Sequence, residues 1–275
     1  MWAKLLIGAL CATMIAGALR SQPSRERTLL ATRPKEGARL RLMTWNIGYA
    51  ELEEDTRAHT NDLASVAETI LSQDPDAVAL QELTGAGQLK ILLAYLGGRY
   101  RGEVTKYDNA DRVEAVLVKD SEADFTEFRA GDKHEIAATF HLTRELPELV
   151  LISAHADAFN AARRRAFTAD VIDHALYHPD MTIVFIAGDF NFEVTSANET
   201  NFYTDNLKHD SESYSSLLRH YRDLGRDAGD TAINDRRIDY IFAPPQRVLL
   251  KRAEVLRGAA VGRMDHWPLV VEITL

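Results

Sequence analysis

Thr182-Ile183-Val184-Phe185-Ile186-Ala187-Gly188-Asp189-Phe190-Asn191 carries a strongly apolar run into a Gly-Asp break and then an amide. An unbroken apolar run of this length, closed by glycine, reads as a buried strand that ends where its first polar side chains begin. The same form recurs along the chain. Leu42-Met43-Thr44-Trp45-Asn46, Val78-Ala79-Leu80-Gln81-Glu82, Arg237-Ile238-Asp239-Tyr240-Ile241 and Met264-Asp265-His266-Trp267-Pro268 each set an acid, amide or imidazole beside a short apolar run, and Leu149 to Ala154 leads in the same way to His155.

Outward from these runs the chain reads as a mixture of elements. Alternation from Ala38 to Trp45 predicts a strand, and Leu63, Val66, Ala67, Ile70 and Leu71 fall at helical spacing before Asp74-Pro75 stops them. A short strand from Ala77 to Leu80 and a helix from about Ala86 to Leu96 follow. Val113 to Val118, Phe125 to Phe128, Glu135 to Leu142 and Leu149 to Ala154 are strand-like runs with brief polar connections, which predicts an antiparallel meander. Asn160 can cap a helix that Pro179 ends. Residues 193–213 are polar and aperiodic, which predicts a long loop, and a short helix is expected around Tyr214 to Tyr221. The last strands are expected at Arg237 to Phe242, Val248 to Leu256 and Trp267 to Thr274. The whole is an α/β (α+β) chain without internal repeats.

Length and composition bound the rest. A chain of 275 residues with 46% hydrophobic content can bury one substantial core. A net charge of -9 and pI near 5.5 argue against a protein that coats nucleic acid nonspecifically, though not against a locally basic cleft. Lys4 precedes an uncharged stretch from Leu5 to Leu19, and Ala16-Gly17-Ala18 has the small-x-small form of a cleavage site. Residues 1–20 therefore read as a signal peptide or an N-terminal anchor, 21–37 as a flexible linker and 38–275 as the domain; the expected location is secreted, periplasmic or membrane-anchored. Cleavage after Ala18 removes Cys11, the single cysteine, and with it thiol nucleophiles, disulfides and thiolate zinc sites.

Small acids, amides and imidazoles at strand ends are the means by which a fold builds a metal-dependent phosphate-cleaving site. Mg²⁺ (or Mn²⁺) takes hard oxygen ligands and keeps several waters, so few carboxylates suffice. Glu82 is the leading metal ligand, with Asn46 and Asp265 beside it. His266 is the natural base for an attacking water, held in one tautomer by Asp239. In extended geometry Asp189 and Asn191, spaced i and i+2, share one face, where Asp189 can orient the water and Asn191 bind a phosphoryl oxygen. His155 can donate a hydrogen bond or proton to the phosphate. Taken singly each has a plainer reading, as a structural histidine or an acid in a turn; their joint occurrence carries the argument.

From about Leu40 to Leu275, these segments resemble the endonuclease/exonuclease/phosphatase superfamily, in Thr44-Trp45-Asn46, Leu80-Gln81-Glu82, Gly188-Asp189-Phe190-Asn191, Arg237-Ile238-Asp239-Tyr240 and Asp265-His266-Trp267-Pro268. The resemblance implies a deoxyribonuclease-like, four-layer sandwich of two central mixed β-sheets flanked by helices, and divalent-metal phosphoester hydrolysis in the roles just given. It departs from that pattern at Met264, where a small residue is usual, and at Ser153-Ala154-His155-Ala156. Arg164, within the Arg163 to Arg165 run, and Tyr107 are candidate substrate-binding residues, each with a plainer alternative as a solvated basic face or a loop residue.

A phosphodiesterase of nuclease type leads these readings. A sphingomyelinase or phospholipase would want an exposed apolar loop, for which Phe202-Tyr203 is a small candidate, and an inositol-phosphate phosphatase would want clustered cations, hinted at by Arg236-Arg237. A noncatalytic binding module would keep the fold. The expected partner is the phosphoester itself (nucleic acid, phospholipid headgroup or inositol phosphate), with no obligate protein partner and a monomeric chain.

Overall fold

The computed structural model describes residues 37–48, 50, 56–106, 112–194 and 204–275, with the backbone alone for 56–61. Strand β1 (Arg39–Asn46) shows how the layers arise. Its pleat sends Leu40 and Leu42 to one side and Met43 and Trp45 to the other, so both faces are apolar and both are covered. Four helices supply the cover: α1 (Thr56–Gln73), α2 (Ala86–Tyr95), α3 (Ala161–Tyr177) and α4 (Leu207–Leu218).

The strands form two six-stranded sheets. The first takes the order β11-β12-β1-β2-β4-β3, in which β2 is Ala77–Leu83, β3 Tyr100–Val104, β4 Val113–Lys119, β11 Leu249–Val255 and β12 Leu269–Thr274. The second takes the order β5-β6-β7-β8-β10-β9, with β5 Ala123–Ala130, β6 Lys133–Phe140, β7 Leu149–His155, β8 Ile183–Asp189, β9 Arg222–Asp223 and β10 Asp239–Ala243. One pair in each sheet is parallel, β1 with β2 and β7 with β8, and the other pairs are antiparallel.

Three buried clusters define the layers. Leu40, Leu42, Val116, Phe140, Phe185 and Ile273, among others, fill the space between the sheets. Met43, Trp45, Val66, Ile70, Leu80 and Leu92 lie between the first sheet and α1 and α2. Ile152, Phe167, Val171, Phe190, Tyr240 and Phe242 lie between the second sheet and α3 and α4. These are the two mixed sheets flanked by helices that the resemblance implies.

Sheet direction then fixes where the functional residues go. The parallel strands β1, β2, β7 and β8 all end at one pole, and β10, antiparallel to β8, begins there. The opposite pole gathers the domain's ends: the Leu275 amide donates to Ala38 O at 3.0 Å.

Several expectations change. The middle strands do not form one meander: β3 and β4 pair in the first sheet, whereas β5, β6 and β7 belong to the second. The loop expected over 193–213 gives way at Leu207 to helix α4, which ends at Leu218 and does not reach Tyr221. Asn206 caps it, accepting from the amides of Lys208 and His209. Its buried face is Asp210, Ser213, Tyr214 and Leu217, helical spacing with two polar members, so an apolar period does not reveal it. Strands β3 and β9 were likewise not anticipated. The leader, linker and Phe202-Tyr203 lie outside the described residues.

Gly188 permits the crossing of β7 and β8. Its φ is +148°, and a side-chain carbon there would overlap the Ala154 carbonyl. Gly188→Ala should therefore cost at least about 2 kcal/mol of unfolding free energy from backbone strain alone. Gly87, in the first turn of α2 with open space around it, is the control: Gly87→Ala should stabilise by up to about 1 kcal/mol, both read by urea unfolding.

Candidate active site

Asp189 ends β8 buried among groups from both sheets. Its Oδ2 accepts from Asn46 Nδ2 at 3.0 Å, and its Oδ1 from the Asn191 amide at 2.9 Å. The same oxygen Oδ2 stands 3.7 Å from His266 Nε2 and 3.8 Å from His155 Nε2. Burial would raise the carboxyl's pKa, but His266, His155, Asn46 and the Asn191 amide together outweigh it and hold Asp189 below the ordinary value.

Asn46 bridges the two sheets. Its Nδ2 also donates to Glu82 Oε1 at 3.0 Å, while its Oδ1 accepts from the Gly48 amide at 2.9 Å. Gly48 is bare where Glu82 passes; a side-chain carbon there would collide with the Glu82 carboxylate. Glu82 itself adopts φ +62°, beside the irregular pairing of β2 and β4, which turns its side chain out of the ladder. Its side chain is 24% exposed, and Arg112 Nε stands 3.7 Å from Oε2.

His266 is fixed through Nδ1, 2.9 Å from Asp239 Oδ2, so Nε2 is the nitrogen presented to Asp189. Its backbone carbonyl accepts from Trp45 Nε1 at 3.1 Å. Thr231 Oγ1 accepts from the amides of Ile238 and Asp239, setting the start of β10. Burial opposes a charge on the ring, yet Asp239, Asp189 and Asp265 prevail and lift the imidazole to about 10. Burial, with Asp189 adding to it, raises Asp239 against the pull of His266. Asp265, half-buried, is raised by burial against His266, with Glu82 and Asp189 adding their charge.

His155 turns Nε2 to Glu82 Oε1 at 3.6 Å and Nδ1 to Glu114 Oε1 at 3.2 Å. Its backbone amide donates to Glu135 Oε2 at 3.1 Å. Burial, then the nearby Glu114, push Glu135 well above the usual carboxylate range. Neither acid was anticipated. Each stands within an otherwise apolar strand, Val113-Glu114-Ala115-Val116 and His134-Glu135-Ile136-Ala137, and a lone acid in such a run is the signal that would have found them.

Glu82, Asn46, Asp189, His155, Asp239 and His266 are thus brought together, and Asp265 is close enough to feel the charges of Glu82 and Asp189. Asn191 arrives by a different route from the extended i and i+2 spacing expected. It lies past the strand end at φ +53°, tied back to Asp189 through its amide and to Ala156 O through Nδ2 at 3.2 Å. Arg164 does not face the site. It is 0% exposed, with Nε and Nη2 on the two Asp210 oxygens at 2.8 and 2.9 Å and further bonds to Thr204 and Asp157 O. Arg237 is likewise a buried partner of Asp223 rather than part of a cationic mouth. Tyr107 lies outside the described residues. Met264 is a core residue packed with the first sheet and its helices.

Two groups of side chains can hold a metal: Glu82, His155 and Asp189, and Asp189, Asp239 and His266, each with candidate ligand atoms within 4.8 Å of one another. The residues fit a hard divalent cation, because carboxylates outnumber imidazoles and Glu82 keeps an open side.

Fold and site together define an α/β sandwich with an acid-and-imidazole centre at one pole. The sequence profile of the Endonuclease/Exonuclease/phosphatase family matches residues 43–262, and the chain belongs to that family. Among solved structures it is similar to an endonuclease/exonuclease/phosphatase from Bacteroides vulgatus, with TM-score 0.69, 20% identity, and coverage of 86% of this chain and 99% of that one. The catalytic domain of human Nocturnin with bound sulfate aligns with TM-score 0.64 and 18% identity over 86% of this chain and 93% of its own. A mannosyl-6-phosphatase of Bacteroides thetaiotaomicron VPI-5482 aligns with TM-score 0.64 and 18% identity over 86% and 100%. No curated protein matches by sequence.

The raised His266 has a consequence for stability. A proton held more tightly in the folded state than at the ordinary 6.5 stabilises in full below pH 6.5, and that contribution is lost as pH rises through about 10. With chelator present, the stability difference between the wild type and His266→Gln should shrink steadily from pH 6.5 to 10 in parallel urea melts. A difference that stays constant over that range would contradict the buried imidazolium.

Proposed function

We propose that this chain is a divalent-metal-dependent phosphoric ester hydrolase acting on phosphodiesters in the manner of a nuclease. One observation carries the reading: His266, already fixed through Nδ1 by Asp239, turns Nε2 toward the carboxylate that also meets Asn46 and His155. That is the placement a water-activating base needs opposite a phosphate.

Glu82 is the principal ligand for Mg²⁺ or Mn²⁺, with Asp265 and Asp189 near and Asn46 holding Glu82 in place. A cation held there supplies positive charge for the phosphate oxygens and the leaving oxygen, and offsets the acid excess that keeps His266 protonated. The attacking water lies between Asp189, which orients it, and His266 Nε2, which accepts its proton. Asn191 uses one N–H on Ala156 O and has a second for a phosphoryl oxygen. His155, steadied by Glu114 on Nδ1, presents Nε2 to the phosphate and returns a proton to the departing oxygen. On the leader reading, the place of action is secreted, periplasmic or membrane-anchored, and the working unit is the monomer.

The test is hydrolysis of plasmid DNA, RNA, sphingomyelin and inositol polyphosphates in parallel with Mg²⁺ or Mn²⁺. DNA or RNA should be cut, chelator should stop it, and His266→Ala and Glu82→Gln should each lower kcat by about 10³-fold. Hydrolysis indifferent to chelator would sink the metal mechanism; cleavage of sphingomyelin or an inositol phosphate alone would keep the mechanism and change the substrate.

A further inference from the structure

Two large apolar side chains stand exposed at the catalytic pole on turns that are tightly held. Phe159 is 76% exposed, four residues after His155. Its turn is not slack. Asp157 Oδ1 accepts from the amides of Phe159 and Asn160 at 2.8 and 2.7 Å, Arg164 donates to Asp157 O at 3.0 Å, and Asp205 accepts from the Ala161 amide at 2.7 Å. Burial works against the Asp157 carboxylate, but those two amides and Arg163 keep its pKa low, so the turn stays tied at neutral pH.

Ile233, 45% exposed, lies on the other flank. Its amide donates to Asp265 O at 2.9 Å, directly beside His266. The turn that carries it is closed by Ala232 N to Arg236 O at 2.9 Å, with Asn234 and Asp235 in left-handed conformation at φ +61° and +55°. Phe159 follows the end of β7 and Ile233 precedes β10, the two strands on either side of β8 and Asp189. Two strand spacings put about 10 Å between those strands, enough to admit one planar ring beside a phosphate.

Exposed apolar residues scattered over a surface are ordinary. These two differ in being preorganised: each sits on a turn whose backbone donors and acceptors are already bound, so contact with a ligand costs little further ordering. An aromatic ring held this way stacks on a flat, weakly polar partner, and a nucleobase offers such a face whatever its sequence. A lipid surface is less well served by two separate side chains on a protein of net charge -9.

We propose that Phe159 and Ile233 flank a subsite for the nucleobase next to the scissile phosphate, with Phe159 stacking on its face and Ile233 closing the far side. This rests on the phosphodiesterase reading of the site and assigns it a base-bearing substrate, a single-stranded or frayed nucleic acid whose bases are free to stack.

The experiment measures binding on a His266→Ala background, where the substrate stays intact, in the full chain with Mg²⁺. The probes are a fluorescein-labelled oligothymidylate and an abasic oligomer of equal length and charge. Phe159→Ala should weaken the oligothymidylate roughly tenfold or more and leave the abasic oligomer unchanged, while Phe159→Trp should keep affinity within about threefold. Ile233→Ala should give a smaller loss of the same selectivity. An equal loss for both oligomers, or no loss for either, overturns the subsite. So does the lipid outcome, in which Phe159→Ala abolishes association with phosphatidylcholine-sphingomyelin vesicles and spares the oligomers. Because binding is read without turnover, a wild type that cuts no ester would defeat the hydrolase reading alone, and the binding comparison would still decide this one.

Discussion

The buried carboxylate of Asp189 is the group on which both sheets close. A lone charge at this depth would be expelled or neutralised, since burial alone costs several kcal/mol. It is kept because the first sheet sends Asn46 to it, its own sheet sends His155 and the Asn191 amide, and the loop before β12 sends His266. The contacts that make the charge tolerable are therefore the ones that align the two sheet ends. A second cross-sheet tie lies just behind: Gln81 Nε2 donates to Ser153 Oγ at 2.9 Å, and Ser153 donates to Leu80 O at 3.0 Å. Ser153, one of the residues where the chain leaves the family's usual pattern, is thus part of the join between the sheets.

Much of this was legible in the sequence because it was written in apolar patterning. Strands buried on both faces read as unbroken apolar runs, and β1, β2, β7 and β8 are all of that kind, so their ends, and the polar residues there, could be placed. What patterning does not show is polar burial. Helix α4 turns Asp210 and Ser213 inward, and Arg164 reads as a surface cation until Asp210, 46 positions away, is seen to take both of its forks. Glu114 and Glu135 hid for the same reason. Backbone conformation was equally silent: nothing in the spacing of Asp189 and Asn191 announces the left-handed turn between strand and loop.

The buried pairs also divide labour. Arg164 with Asp210 and Arg237 with Asp223 satisfy one another away from the reacting groups, and removing one partner of such a pair leaves an uncompensated charge. At the catalytic pole the balance is different. Four acids of the site, Glu82, Asp189, Asp239 and Asp265, face two imidazoles, so charge there is settled by what binds rather than by the fold alone. Stability and chemistry are thus assigned to separate sets of ionised side chains within one family fold.

The hydrogen bond from the Leu275 amide to Ala38 O gives the domain a nearly closed covalent outline. A short bridge from Gly37 to Leu275 would complete the ring without touching a catalytic strand end, and the chain could then be reopened in an exposed turn elsewhere. Anything fused at the present junction, whether a tag, a surface anchor or a second domain, would ride at the pole away from Asp189 and leave the mouth clear.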